Sequence, residues 1–500
     1  MSDIKLPKLR VIDPNRPKKP KILLLSDDLQ MHSGIATMSR EFVLNSIDHF
    51  DWVQLGCAQE HYAHGQVFDI SQAVNEERGI DHAYVKVYAH TGYGSANVVR
   101  ELIALEKPDA ILHFTDPRYW EWLYLMEHEI RTKHQIPLMY YNIWDCPPAP
   151  RWNKPFYQSC DLIMNITKQT HNLVKLVVED DGFVDLDKGD PFESGKVNIA
   201  HVTHGIPDHL YFPIDETSAV WEEYDKFRTD FLTNHGVDFV VFWNNRNAAR
   251  KHPGDVVLSY KTFCDTLPKE KAKRTALLMH TDIVDPNGTD LLAVKKNICP
   301  DYKVIFSTDK LPVARLNFFY NLADVTLNIA SNEGFGLSNA ESLMAGTPII
   351  ATVTGGLQDQ MRFENDEGQW LDFDKNFTSN HAGTYTKHGE WAFPVFPSNR
   401  SLQGSIQTPY IFDDRVRFED VALRLEQVYA LTREQRKLKG ELGRLWLQSD
   451  ESKMTSIAMG ANIAKNIKTC LENWQPDTSI RIQKINNNPT LEPVGIVINK

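Results

Sequence analysis

The chain has 500 residues, 42% hydrophobic and 24% charged. That excludes a disordered chain and a single hydrophobic core, and predicts two or three domains. Its net charge of −12 weighs against tight nonspecific binding to nucleic acid, because phosphate repels an acidic surface.

Apolar runs such as Ile22–Leu25 are far too short to span a bilayer, and MSDIKLPKLR lacks the features of a secretory signal. Six cysteines (57, 146, 160, 264, 299 and 470) are scattered without a CxxC pair. A soluble protein of a reducing cytoplasm, without membrane insertion, is expected. Residues 1–20 form a basic N-terminal arm; up to Lys21 it holds seven Lys or Arg against Asp3 and Asp13. It reads as a solvated tail or as an arm that touches a polyanion.

KPKILLLSDD then predicts a buried parallel strand, with Ser26 and Asp27 at its carboxyl end. HSGIATMSREFVLNSI carries Ile35, Met38, Phe42 and Val43 at helical spacing. FDWVQLGCA, YVKVYAH, PDAILHFTDP, IPLMYYNIW, CDLIMNIT and KVNIAHVTHGI continue the strands, with helical stretches such as NVVRELIAL between them. This alternation predicts a doubly wound α/β domain over 21–215. Residues 177–196, rich in acid and glycine, read as an exposed insertion. A second series follows: DFVVFWNN, RTALLMHTD, YKVIFSTD, ADVTLNIA and TPIIATVTG, with helices at PVARLNFFYNLA and GLSNAESLMAG. It predicts a second such domain over 216–450. Residues 361–409 read as an irregular insertion, and 451–500 as a terminal helix and tail. Two α/β domains in tandem invite a cleft between them.

The most specific stretch is SNEGFGLSNAESLMAGTPIIATVTGG, 331–356. Glu333 and Glu341 are separated by seven residues; the first is on a turn after a strand, the second about two turns into the next helix. Gly334-Phe335-Gly336 lets backbone N–H groups approach a ligand, and the helix N-terminus beyond suits a diphosphate or sugar hydroxyls. In FWNNRNAARKHP, Arg246 and Lys251 have four residues between them. Two such cations would stabilise charge on a departing diphosphate, with Arg250 a competitor for either role. Gly34 follows the first strand.

These residues resemble the signature of retaining glycosyltransferases of GT-B fold, family four, closely over 240–356 and more loosely over 20–215. The resemblance implies two facing Rossmann-like domains, with a C-terminal helix returning to the first. By that resemblance Glu341 binds the nucleotide ribose, Glu333 holds the donor sugar, and Asn332, Gly334, Phe335, Gly336 and Leu337 form the donor floor. Arg246 and Lys251 serve the diphosphate, and Gly34 contacts the donor phosphates where the family usually has paired glycines. His113 stands where the family often has a histidine near the reacting sugar. Asp116 and Asp145 are acceptor-side candidates, and each of these three residues reads equally as structural. His204-Gly205-Ile206 resembles the turn before the family's linker.

No cofactor or metal is required on this reading, since two cations neutralise the diphosphate. The DxD-like Asp185-Leu186-Asp187 lies away from any nucleotide loop. The donor is a nucleotide-diphosphate sugar, UDP ahead of GDP, although nothing at His280-Thr281 or Leu311-Pro312 separates the bases. The chain also looks like glycosyltransferases of T-even-like phages, which modify 5-hydroxymethylated cytosine in DNA with sugars such as glucose or arabinose; the compartment would then be the host cytoplasm. Aromatics of the first half (Tyr119, Trp120, Trp122, Tyr140, Tyr141, Trp144, Trp152) read as core or, where exposed, as stacking candidates for an extruded base. A cell-envelope or capsule glycan is the other acceptor class. An epimerase or nucleotide-sugar binding protein on the same fold is a third reading.

Overall fold

The computed structural model describes residues 18–377 and 379–476. Most of the basic arm, residues 1–17, and the tail from 477 lie outside the described residues. Two mostly parallel sheets organise the chain. The first has nine strands: β1 (Lys21–Asp27), β2 (Asp51–Ala58), β3 (Val67–Asp69), β4 (Val85–Thr91), β5 (Ala110–Phe114), β6 (Leu138–Asn142), β7 (Leu162–Asn165), β8 (Phe183–Asp185) and β9 (Val197–His201). Their order is β3-β4-β2-β1-β5-β6-β7-β9-β8, with only the β3–β4 pair antiparallel.

The second sheet has six strands: β10 (Phe239–Asn244), β11 (Thr275–His280), β12 (Val304–Ser307), β13 (Val325–Asn328), β14 (Ile349–Thr352) and β15 (Ala392–Val395). Its order, β12-β11-β10-β13-β14-β15, is parallel throughout. A hairpin of β16 (Asn399–Gln403) and β17 (Ile411–Arg415) stands apart. In each sheet the chain runs outward in opposite directions from one central switch point, between β1 and β5 and between β10 and β13. Ligands of open parallel sheets bind at such places, outside the carboxyl ends of the strands.

Alternation along each strand builds the layers. Leu23 and Leu25 enter one apolar cluster while Ile22 and Leu24 enter another, on the opposite face. That second cluster is continuous between the domains: Phe114 and Tyr141 from the first sheet share it with Phe335, Leu343 and Trp446. The helix Ser456–Asn473 returns to the first domain and packs on the helix Gly34–Leu44. A Cβ on Gly460 would fall 2.5 Å from the Asn45 side chain, so this crossing needs glycine. The Ile206 N–H donates to Met454 O at 2.9 Å, and the Ser456 N–H to Ile206 O at 3.1 Å.

Two segments differ from the sequence reading. Residues 177–196 are not simply an exposed insertion: β8 pairs with β9 and buries Val184 and Asp185. Three residues are too few to reveal a strand by alternation. Within 361–409, β15 completes the second sheet. Pro394 hides it, because proline is poor within a sheet yet tolerated on an edge strand, which β15 is. Among the described residues no helix is long and apolar enough to cross a membrane.

A clasp joins the domains beside the cleft. The Lys168 N–H donates to Asp359 Oδ2 at 3.0 Å, and Lys168 Nζ lies 3.8 Å from the centre of the Trp370 ring. Burial raises the Asp359 carboxyl to about 7, opposed by the Lys168 N–H. The folded state therefore holds this proton longer than the unfolded chain. The resulting stability is full below the unfolded value of 3.8 and is lost as pH rises towards about 7. Asp359→Asn, neutral throughout, is expected to melt increasingly above the wild type between pH 5 and pH 8. The difference should reach on the order of 2–4 kcal/mol. A pH-independent difference in thermal denaturation would reject this account.

Candidate functional site

The two switch points face each other across the cleft. On the second domain, β13 ends at Asn328, and the chain turns through 329–336 before the helix Leu337–Met344. Gly336 has φ +87°, a left-handed conformation that side chains other than glycine resist. Gln360 Nε2 supports the turn from below, donating to Phe335 O at 2.6 Å and Gly336 O at 3.2 Å. The Gly356 N–H donates to Glu333 O at 2.9 Å.

The loop after β10 docks on this turn. His252, at φ +50°, has its Nδ1 3.1 Å from Ile329 O, and the Ser331 N–H donates to Arg250 O at 2.9 Å. Lys251 is thereby swung inward and pairs with Glu333, the two being 8% and 6% exposed. Asn328 Nδ2 adds a hydrogen bond to Glu333 Oε1 at 3.2 Å. Arg250, half exposed, lies 3.5 Å from the other carboxylate oxygen and donates to Asn332 O at 3.0 Å. Burial alone would raise the Glu333 carboxyl; Lys251 and Arg250 outweigh it and hold the group below its usual range. Burial lowers Lys251 in turn, and the Glu333 carboxylate opposes that fall.

Arg246 takes a different course. It is 63% exposed on its side chain and paired with Asp285 at 2.7 Å. Among the described residues Arg250 is the arginine that joins Lys251 at Glu333. Arg250→Ala is accordingly expected to lower turnover at saturating donor more than Arg246→Ala, by at least tenfold. An equal or reversed ranking would return the role to Arg246.

Glu341 sits just over one turn into its helix, which starts at Leu337 rather than earlier. Its Oε2 accepts the Tyr320 hydroxyl at 2.6 Å, and that hydroxyl accepts Asn244 Nδ2 at 2.8 Å. Burial raises its carboxyl, and the hydroxyls of Tyr320 and Tyr211 oppose the rise.

The first domain presents Gly34 at the start of the helix Gly34–Leu44. Ser33 caps that helix, accepting the Ala36 N–H at 3.0 Å and donating to Asp27 Oδ2 at 2.7 Å. A Cβ on Gly34 would lie 3.4 Å from the Leu337 side chain, so the helix start faces the end of the 329–336 turn directly. Burial raises the Asp27 carboxyl, with the Ser33 hydroxyl acting against it. A Cβ on Gly334 would lie 3.2 Å from Ile143 O and 3.6 Å from the Asp145 side chain. Asp145 therefore faces the Gly334 turn itself. Asp116 caps the turn that follows β5 and pairs with Arg118. His204 packs edge-on against Phe335, ring centres 5.5 Å apart.

His113 is fully buried. Its Nδ1 is 2.7 Å from the Tyr124 hydroxyl and its Nε2 2.9 Å from the Thr115 hydroxyl, and it stacks on Tyr140. Burial lowers it to about 3, so the ring is neutral. Of the aromatics that read as core or stacking residues, Trp120, Tyr140, Tyr141 and Trp144 are core residues, and Trp122 and Trp152 are partly buried. Tyr119 is 48% exposed and stacks on Tyr93 at 4.8 Å, and Tyr62 is 80% exposed. Sequence reasoning overlooked Tyr62 and the reach of Asp27, although both follow strand ends. Asp185 and Asp187 gather with His171 at the far edge of the first sheet. Lys175 already pairs with Asp185 at 2.6 Å there.

Residues 302–375, which include Glu333 and Glu341, match the family described as glycosyl transferases group 1. Over 90% of the chain, the structure superposes on all of Anabaena HepE in complex with UDP and glucose, with a TM-score of 0.57 at 12% identity. Over 91% it superposes on all of the sucrose-phosphate synthase of Thermosynechococcus elongatus, with a TM-score of 0.60 at 12% identity. The fold is GT-B. A curated relative, the D-inositol 3-phosphate glycosyltransferase of Thermomonospora curvata, is 34% identical over 87 residues. That stretch is 17% of this GT-B chain and 19% of the relative, so the match spans about a fifth of that protein.

Proposed function

We propose that this chain is a retaining glycosyltransferase that moves a sugar from a nucleotide diphosphate, UDP ahead of GDP, to an acceptor hydroxyl. The observation that carries the reading is the Lys251–Glu333–Arg250 cluster at one switch point, facing the helix start at Gly34 across the cleft. The bond from the anomeric carbon to the diphosphate oxygen breaks, and the charge left on the diphosphate is met by Lys251 and Arg250. Arg246 joins them on leaving Asp285. The N–H groups of the Gly34 helix start and of Gly334 to Leu337 cradle the phosphates and sugar. Asn332, Phe335 and Gly336 shape that floor, Glu333 takes sugar hydroxyls and Glu341 the ribose. The departing phosphate oxygen receives the acceptor's proton, so the new bond forms on the face that the leaving group vacates. His113, enclosed in the core, positions the β5 end rather than touching substrate.

The acceptor lies against the first domain, near Asp27, Asp116 and Asp145. Tyr62 and Tyr119, exposed in the loops after β2 and β5, give flat faces for a base. This favours 5-hydroxymethylcytosine in DNA, with glucose or arabinose transferred. The net charge of −12 favours a second reading, a glycan hydroxyl. The test is mass spectrometry of nucleosides from 5-hydroxymethylcytosine DNA incubated with the protein and a mixture of UDP- and GDP-sugars. A hexose or pentose gain on the modified cytosine is expected. Nucleotide diphosphate released without that gain moves the acceptor to glycans, and no release at all removes the transferase reading.

A further inference from the structure

Away from the cleft, behind the donor half, lies a cavity of about 530 Å³. The segment 212–215, the turn 345–348 and the helices Trp221–His235 and Arg433–Leu447 enclose it. Pro213, Leu322 and Pro348 are part of its apolar lining. Most charges on its wall are already matched. Arg436 pairs with Asp324 at 2.9 Å and Asp238 with Arg274 at 2.6 Å. Asp215 accepts the Thr217 N–H at 2.9 Å, and Arg444 donates to Met344 O at 2.7 Å. Arg228 lies at 4.0 Å from Asp225.

Arg433 and Lys437 remain, one turn apart on one helix face. Among the described residues neither has a carboxylate within ion-pair distance; through space Arg433 acts on Asp324 and Lys437 on Asp215, and Glu434 and Glu441 flank them on the same helix. Arg433 is also the first residue of its helix, where the backbone adds positive potential. The volume is that of a small-molecule site, and its lining combines cations with apolar side chains.

We propose that this cavity is a second, regulatory site for a phosphorylated small metabolite. Its phosphate lies between Arg433 and Lys437, and its uncharged body covers the apolar lining. The cavity is placed to act on the cleft. The segment 212–215 runs between the two sheets and is hung on Asn317 and Asn321. Asn321 Oδ1 accepts the Ile214 N–H at 2.7 Å, and Asn317 Nδ2 donates to Phe212 O at 3.1 Å. The turn 345–348 ends the helix that carries Glu341. A Cβ on Gly440 would fall 1.8 Å from Gly346 O, so the helix bearing Arg433 touches that turn backbone to backbone. An occupant that prefers one setting of these pieces shifts the cleft with it. The binding claim stands without the transferase reading; the regulatory claim rests on it.

The experiment is calorimetric titration of the full chain, held in excess UDP to fill the donor half, with glucose 6-phosphate as the probe. One site per chain is expected. Arg433→Ser/Lys437→Ser should weaken it at least tenfold with an unchanged melting temperature, and Lys251→Met should leave it intact. Inorganic phosphate should bind at least tenfold more weakly than the sugar phosphate, since it leaves the apolar lining uncovered. No heat with the wild type, or equal affinity in the double variant, overturns the site; the latter outcome would put the probe in the acceptor region. Loss in Lys251→Met alone would put it in the donor half. If UDP itself fails to bind while the probe still depends on Arg433 and Lys437, the cavity site survives and the transferase reading fails. For the regulatory claim, glucose 6-phosphate should change the rate of UDP release from UDP-glucose at least twofold at low donor, and not in the double variant. An equal response in both overturns it.

Discussion

Lys251→Met is expected to lower turnover by about a hundredfold or more, roughly 3 kcal/mol of lost transition-state stabilisation. It should also lower stability, and the two losses have different origins. Lys251 and Glu333 are both almost wholly buried and pair with each other. Removing one member of such a pair leaves the other charge uncompensated, which costs about 3–5 kcal/mol. The double variant Lys251→Met/Glu333→Gln removes both charges and should recover most of the melting temperature. It should recover none of the turnover, because the cation proposed to meet the departing diphosphate is still missing. The pH dependence of stability has a definite sign. Glu333 is depressed in the folded state, so its stabilisation is present above the unfolded value of 4.5 and is lost as pH falls through the lower folded value. Single variants should show less of this acid-side loss than the wild type. Turnover within threefold of wild type in Lys251→Met, measured with saturating donor, would refute the assignment.

The strands that carry the site were legible because each is a short apolar run with polar punctuation: KILLLSD at β1, FVVFWN at β10 and VTLN at β13. Such runs are local, and burial on both faces leaves little choice of residue. What the sequence hid is non-local. The pairing of Lys251 with Glu333 spans 82 residues, and the choice between Arg246 and Arg250 depends on the left-handed His252 and on Asp285. Neither leaves a pattern within its own segment. β15 was masked by Pro394 and β8 by its length of three residues. The aromatic-rich stretch 119–152 was legible only as two alternatives, core or stacking surface. Trp120, Tyr140 and Tyr141 are fully buried and belong to the core. Composition does not separate a stacking face from a core, and neither does position after a strand: Trp120 and Trp144 follow β5 and β6 and are buried, while Tyr62 and Tyr119 follow β2 and β5 and are exposed.

Gly356→Ala should cost about as much turnover as Lys251→Met, though it removes no charge and no hydrogen-bonding atom. A Cβ there would lie 2.2 Å from Gly334 O and 2.6 Å from the Thr167 methyl. Ordinary contact needs more than an ångström of extra room on the first of these, and neither neighbour is a flexible side-chain end. Thr167 caps the helix Lys168–Val178, accepting the Thr170 N–H at 3.2 Å. The 333–336 turn is therefore the part that moves, and it carries Glu333 with it, since the Gly356 N–H holds Glu333 O. A displacement of about 1 Å in a positioning group can cost about a hundredfold in rate. Because the moved backbone is the proposed floor for sugar and phosphates, donor KM should rise as well, by tenfold or more. Gly254→Ala is the control: a Cβ there meets nothing within 4 Å, and the position is helical, where alanine is favoured. If Gly356→Ala keeps donor KM and turnover within twofold of Gly254→Ala, the backbone of 333–336 is not where the donor lies.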